Sequence, residues 1–148
     1  MTRINAHIPP ANLCDQHLVA EYREILRTNT LALKKAQKEG KSMLKNIQST
    51  FTLGSGHVTF FYDKLKYIHL RFNSLKDEMI SRGMNTTIEW KLDNIHEFDW
   101  LYNDWPSELT ANQLIIERIL ERANSMKRIS YNSNHIDYET YSKMLITF

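Results

Sequence analysis

Hydrophobic positions recur at helical spacing in three stretches of this 148-residue chain. Over residues 58–81, Phe61, Leu65, Ile68, Phe72, Leu75 and Met79 repeat at intervals of four and three. That spacing predicts an amphipathic helix with the stripe facing a core. Arg82-Gly83 is its stop signal. Over residues 13–38, Cys14, Leu18, Tyr22, Ile25, Leu26 and Leu33 form a second stripe. At about 100° per residue, Gln16, Ala20, Arg23 and Arg27 fall on the opposite face, with Glu24 on its flank. Asn12 or Asp15 is a candidate cap for this helix, and Gly40 a candidate stop. A third helix, over 111–125, opens on the capping-box pattern Thr110-Ala111-Asn112-Gln113 and turns Ile115, Ile116, Ile119, Leu120 and Ala123 inward.

Elsewhere the periodicity lapses. Residues 1–11 read as an extended arm, because Pro9-Pro10 cannot lie inside a helix. Residues 41–57 look irregular and end in Leu53-Gly54-Ser55-Gly56-His57. Glycines there would let backbone N–H groups approach a phosphate; a plain loop before a helix cap is the other reading. Residues 84–108 are irregular and acidic, and carry Trp90, Phe98, Trp100, Tyr102 and Trp105. Such aromatics pin a loop onto a core or, less commonly, stack on bases. The tail beyond 125, with Tyr131, Tyr138 and Tyr141, reads either as an aromatic contact surface or as a strap. No repeat, low-complexity tract or linker divides the chain. The expectation is an all-α fold, a single compact domain over 1–148 built of three helices with long irregular connections.

Composition narrows the class. A hydrophobic fraction of 42% and a charged fraction of 24% are ordinary for a soluble globular domain. The lone Cys14 leaves no internal disulfide and no multi-cysteine metal site, so a reducing, cytoplasmic setting is expected. No run approaches the roughly 18 apolar residues that span a membrane, and no signal peptide opens the chain, so no membrane partner is expected. The six histidines lack ligand spacing, and there is no Walker loop or dinucleotide fingerprint. The net charge of +2 is small, but it is sided. Lys34, Lys35, Lys38, Lys41 and Lys45 stand against Glu39 alone in residues 30–48, whereas residues 86–108 are acidic. That asymmetry would steer a polyanion to one face, or simply form a solvated one.

Candidate chemistry lies at the start of the chain. A small second residue favours removal of Met1, which would leave the α-amine on Thr2. Such an amine titrates at about 7.7–8.0, so roughly a tenth is neutral at pH 7. Neighbouring Arg3, Arg23 and Arg27 would lower it further. A primary amine is a competent nucleophile toward a sugar C1′. Glu24 is the best-placed carboxylate to stabilise positive charge and move protons, although a Glu between two Arg is also the pattern of a surface ion-pair ladder.

Two stretches then carry a family resemblance. One is Met1-Thr2-Arg3-Ile4-Asn5, resumed at Asp15-Gln16-His17-Leu18 and Ala20-Glu21-Tyr22-Arg23-Glu24. The other is Gly56-His57-Val58-Thr59-Phe60-Phe61-Tyr62-Asp63-Lys64-Leu65. Over about residues 1–85 the chain resembles the pyrimidine-dimer DNA glycosylase family known from the T-even bacteriophages. The resemblance implies an all-α monomer that works without metal or organic cofactor on double-stranded DNA containing a lesion or abasic site, in the host-cell cytoplasm if phage-encoded. It implies attack by the Thr2 α-amine through an imine, with Glu24 as the catalytic carboxylate, and apurinic/apyrimidinic lyase activity at cyclobutane pyrimidine dimers. Arg3, Arg23 and Arg27 would hold phosphates, and Gln16 and His17 would lie in the same cleft. Lys34, Gly56, His57, Lys127 and Arg128 complete the candidate DNA contacts. The alternatives are the same amine chemistry on another damaged or modified base, and a DNA-binding protein without catalysis. Two departures stand out. The arm holds one extra residue within Ala6-His7-Ile8-Pro9-Pro10, and the family's dense aromatic tail is replaced by the spread Tyr131, Tyr138 and Tyr141.

Overall fold

The computed structural model describes residues 4–92, 95–106 and 108–146. Among these the chain forms five α-helices: α1 (Asp15–Glu24), α2 (Arg27–Glu39), α3 (Leu65–Ser81), α4 (Leu109–Asn124) and α5 (Tyr138–Ile146). It also forms an antiparallel hairpin of β1 (Ile129–Tyr131) and β2 (Asn134–Ile136), with Ile129 opposite Ile136. The chain is therefore mainly helical, with more helices than the three expected and a small sheet that the periodicity did not announce.

The α3 stripe behaves as its spacing requires. Phe61, Leu65, Ile68, Phe72, Leu75 and Met79 are all buried. The helix begins later than expected, at Leu65, because Lys64 leaves helical geometry (φ −128°, ψ 41°); Thr59–Phe61 is a separate 3-10 turn. It ends in a Schellman closure: Gly83 at φ 74° lets its own N–H reach Ile80 O at 3.0 Å and that of Met84 reach Met79 O at 2.9 Å. The expected helix over 13–38 is two helices. At Ile25-Leu26 the bonding tightens, and the Thr28 N–H goes to Ile25 O at 3.1 Å, a 3-10-like step. Cys14, Leu18, Tyr22 and Ile25 are buried, whereas Leu26 and Leu33 are only partly so. Gly40, at φ 61°, stops α2 as expected. Neither capping candidate of α1 acts as one: Cys14 is the N-cap and makes no side-chain cap bond. Likewise α4 starts one residue before Thr110, at Leu109, so the capping-box reading fails there.

Helix α1 lies against α3 on one side and against β1 on another, while α4 packs on α5. The segment 86–92 is held by side chains of α1 and α2. The Tyr22 hydroxyl donates to Ile88 O at 2.8 Å, and the Asn29 amide donates to Lys91 O at 2.9 Å. Beyond it, Trp105 enters a cluster with Phe51, Phe60, Phe61 and Tyr67, at ring-centroid distances of 5.1–5.6 Å. That is the loop-pinning role of the aromatics. No helix among the described residues is long and apolar enough to cross a membrane.

The N-terminal arm is part of the core. Ile4, Ala6 and Ile8 are fully buried. The arm turns at Ala6-His7, with His7 at φ 63° and the Ile8 N–H bonded to Asn5 O at 3.2 Å. His7 is gripped between Tyr67 and Trp105 (ring centroids 5.2 and 4.3 Å), and its N–H donates to the Tyr67 hydroxyl at 2.9 Å. The two prolines then open a single 3-10 turn, Pro10–Asn12.

Candidate active site

A cleft of about 130 Å³ is lined by Asn5 of the arm, by His17, Ala20, Glu21 and Glu24 of α1, and by Ile119 and Arg122 of α4. Positions 17, 20, 21 and 24 share one edge of α1, because steps of three and four bring side chains to the same face. The arm supplies a third wall only because its backbone is fixed beneath.

The two glutamates of the cleft differ in kind. Glu21 is buried and fully committed. Its carboxylate accepts from Arg71 Nε at 2.8 Å, from Arg71 Nη2 at 2.9 Å and from the Asn5 amide at 2.9 Å. Arg71 also donates to the Ile8 carbonyl, so one guanidinium joins α1, α3 and the arm. Burial alone would lower the Arg71 pKa, but the Glu21 charge outweighs it and the net shift is upward. Arg71 therefore keeps its charge beside Glu21 despite its burial. Glu24, half-buried at the cleft, has no hydrogen bond or ion pair among the described residues. Neither Arg23 nor Arg27 pairs with it there, so the ion-pair-ladder reading does not describe this helix. Both arginines are exposed, on either side of the α1–α2 step.

His17 stands beside Glu24 in the cleft, with Nδ1 2.7 Å from the hydroxyl of Tyr141 on α5. Burial first, and the Arg122 charge second, lower its pKa to about 4. It is therefore neutral at physiological pH. Sequence reasoning missed Arg122, Tyr141, Asn5 and the Glu21–Arg71 pair. Arg71 left a signal: it interrupts the apolar face of α3 between Leu65, Ile68, Phe72 and Leu75, and a charge there needs a partner. Arg122 and Tyr141 left none, since only the fold brings α4 and α5 to α1.

The other candidates divide. Gln16 is exposed, yet both ends of its amide are engaged: Nε2 donates to Arg128 O at 3.3 Å and Oε1 accepts from Ser130 N–H at 3.1 Å. Its partners are the approach to β1, and it holds the hairpin against α1. A shallow depression of about 400 Å³ next to the cleft is lined by Asp15, Gln16, Val19, Ala20, Arg23 and Ser130, and Ala20 borders both spaces. Lys127 and Arg128 are exposed at the edge of this hairpin. Lys34 lies elsewhere, on a separate cavity of about 450 Å³ with Leu26, Asn29 and Lys91. Thr2 and Arg3 lie outside the described residues.

Two of the candidate DNA contacts lie in the loop before Thr59–Phe61. His57 is 1% exposed and cannot meet DNA. Its Nε2 accepts the Ile4 N–H at 3.1 Å and its Nδ1 lies 3.1 Å from Thr52 O, so it anchors the arm. Gly56 makes the turn that leads into this anchor. At φ 91° it is in the left-handed region, and a Cβ there would lie 2.0 Å from Gln48 Nε2. The following element is a three-residue 3-10 turn, without the aligned N-terminal amides of a real helix.

The arm that lines the cleft, the Glu21–Arg71 pair and the His57 anchor all fall within one contiguous portion of the sequence. The model of the pyrimidine dimer DNA glycosylase family matches residues 1–92. With well over half of its length so matched, the chain belongs to the pyrimidine dimer DNA glycosylase family.

Proposed function

We propose that the chain is a DNA glycosylase and lyase that acts on pyrimidine dimers in duplex DNA, with the Thr2 α-amine as nucleophile after loss of Met1 and Glu24 as catalytic carboxylate. The observation that carries this is the uncommitted Glu24 beside a fully committed Glu21, at a cleft whose third wall is the arm. The Ile4 N–H is fixed on His57, and two extended residues span at most roughly 7 Å. Covalent geometry alone keeps the Thr2 amine within that reach of the Ile4 nitrogen.

In the first step the amine forms a bond to C1′ while the glycosidic bond breaks, and its electron pair leaves with the base. The amine nitrogen then loses a proton to Glu24, its lone pair forms the C=N bond as the C1′–O4′ bond opens, and O4′ takes up the proton, giving a protonated imine. Removal of a C2′ proton expels the 3′ phosphate. Glu24 stabilises charge at the sugar and carries these protons. Arg3, Arg23 and Arg27, with Lys127 and Arg128, hold the phosphates, and Lys34 extends the basic face. The extruded base vacates the stack at the lesion. The substrate in this reading is a lesion-containing or abasic duplex, the protein acts as a monomer in the cytoplasm, and residues 1–148 form one domain.

Borohydride trapping tests the reading. Mass spectrometry first confirms loss of Met1. Protein, a duplex with one abasic site and the reductant should then give a covalent adduct that maps to Thr2. Glu24→Gln should slow release of the dimer base by roughly 10²–10⁴-fold. Absence of any adduct from folded, processed protein would withdraw the amine mechanism and leave a protein that only binds DNA. Preferential cleavage of a modified-base duplex over a dimer duplex would keep the chemistry and change the substrate.

A further inference from the structure

Helix α5 lies outside the family-matched residues, yet it reaches the cleft at one point. Tyr141 is fully buried, and its hydroxyl sits 2.7 Å from Nδ1 of His17. The ring centroids are 5.6 Å apart. The helix is strapped to the 3-10 turn ahead of α1 as well, since the Asn12 amide donates to Met144 O at 2.7 Å. A phenol has one proton to give, and burial raises the Tyr141 pKa, so the hydroxyl stays protonated. The Cys14 backbone amide and thiol also interact with the phenol oxygen. An imidazole nitrogen is a far better acceptor than a thiol, so the phenol proton goes to Nδ1 of a neutral His17. The imidazole proton then resides on Nε2. The groups facing His17 are Cys14, Glu21 and Glu24 of α1 and its cap, Arg122 of α4, Tyr141 of α5 and Asn5 of the arm.

We propose that Tyr141 is a positioning residue that fixes His17 as its Nε2–H tautomer, giving the cleft a neutral hydrogen-bond donor beside Glu24 for an oxygen of the substrate's sugar–phosphate. A neutral donor suits this place. It holds an oxygen in register without bringing a second positive charge up to a sugar that itself becomes cationic. The choice of ligand rests on the glycosylase reading; the tautomer does not.

The test has two arms. In the free, folded protein, two-bond ¹H–¹⁵N correlation should show His17 protonated at Nε2 and neutral at pH 7. Protonation at Nδ1, or a charged ring, overturns the proposal. Tyr141→Phe keeps the ring and removes only the hydroxyl. It should raise the His17 titration midpoint, since a donor to Nδ1 favours the neutral ring, while burial and Arg122 still hold it below its ordinary value, and slow borohydride trapping roughly tenfold, as loss of an orienting partner does. In a His17→Ala background the same change should add no further loss, because the hydroxyl acts through His17. An equal loss in both backgrounds would make Tyr141 a packing residue and overturn the proposal. Wild-type protein that shows the Nε2–H tautomer but never traps would sink the glycosylase reading and leave the positioning role standing.

Discussion

Two arginines of the α3 region tie down the two ends of the chain, and they do so differently. Arg71 holds the N-terminal arm. It is buried in mid-helix, meets Glu21 with two nitrogens and reaches the Ile8 carbonyl. Arg82 holds the C-terminal hairpin from the end of the same helix. It meets Asp15 at 2.9 Å and Glu78 at 2.8 Å, donates to the Leu13 carbonyl at 2.8 Å, and stacks 4.0 Å from the Tyr131 ring. Asp15 relays the tie: its two oxygens accept the N–H groups of Asn132 and Ser133, the left-handed turn of the hairpin. Burial alone would raise the Asp15 pKa, but those two amides and Arg82 outweigh it and hold the carboxyl below its usual range. Both partners of the Arg71 pair lie within the family-matched residues, whereas the hairpin end of the Arg82 network lies beyond them. The difference separates duties. The inner pair fixes the arm that lines the cleft, and the outer network fastens the hairpin beside α1.

That separation can be broken most severely at Arg71. Arg71→Ala leaves Glu21 as an unpaired buried charge, and the loss should be about 3–5 kcal/mol in urea unfolding. Trapping at Thr2 should fall with it, even at temperatures where the variant stays folded. Full trapping by a folded Arg71→Ala protein would show that the arm is positioned by something else.

Acid should act next. The His17 pKa is near 4 in the fold and about 6.5 when unfolded, so the unfolded chain binds more protons between those values. Stability should drop by about 3 kcal/mol as pH falls from roughly 6.5 to 4. His17→Gln should flatten that part of the profile. Asp15 contributes in the same direction but lower, its stabilisation being lost as pH falls below about 3.9 and through its depressed folded value.

Arg82→Ala should cost less, on the order of 2 kcal/mol, because the carboxylates it leaves behind, Asp15 and Glu78, are 12% and 18% exposed, against 1% for Glu21. Hydrogen exchange should quicken at Asn132 and Ser133 while trapping of an abasic duplex persists. Loss of trapping would mean that arm and hairpin are one unit. The smallest effect is expected at Gly56→Ala, about 1–2 kcal/mol from forcing a side chain into the left-handed region against Gln48. A neutral result in thermal unfolding would show that the Gly56–His57 loop is not a rigid anchor.

The sequence by itself determined whatever depends on local spacing. The α3 stripe, the Gly40 and Gly83 stops, the shared edge of α1 that carries His17 and Glu24, and the family resemblance were all legible. These follow from the geometry of a helix and from consecutive residue identities. Only the tertiary structure decided which polar groups are consumed. It gave Glu21, Gln16 and His57 each a partner 50 or more positions away. It left Glu24 uncommitted three residues from Glu21, and brought Arg122 and Tyr141 to the cleft from helices whose own periodicity says nothing of α1. A charge or an amide has the same chemistry wherever it occurs in the chain. Its burial and its partners, which fix whether it holds the fold or meets a substrate, exist only once distant segments have packed.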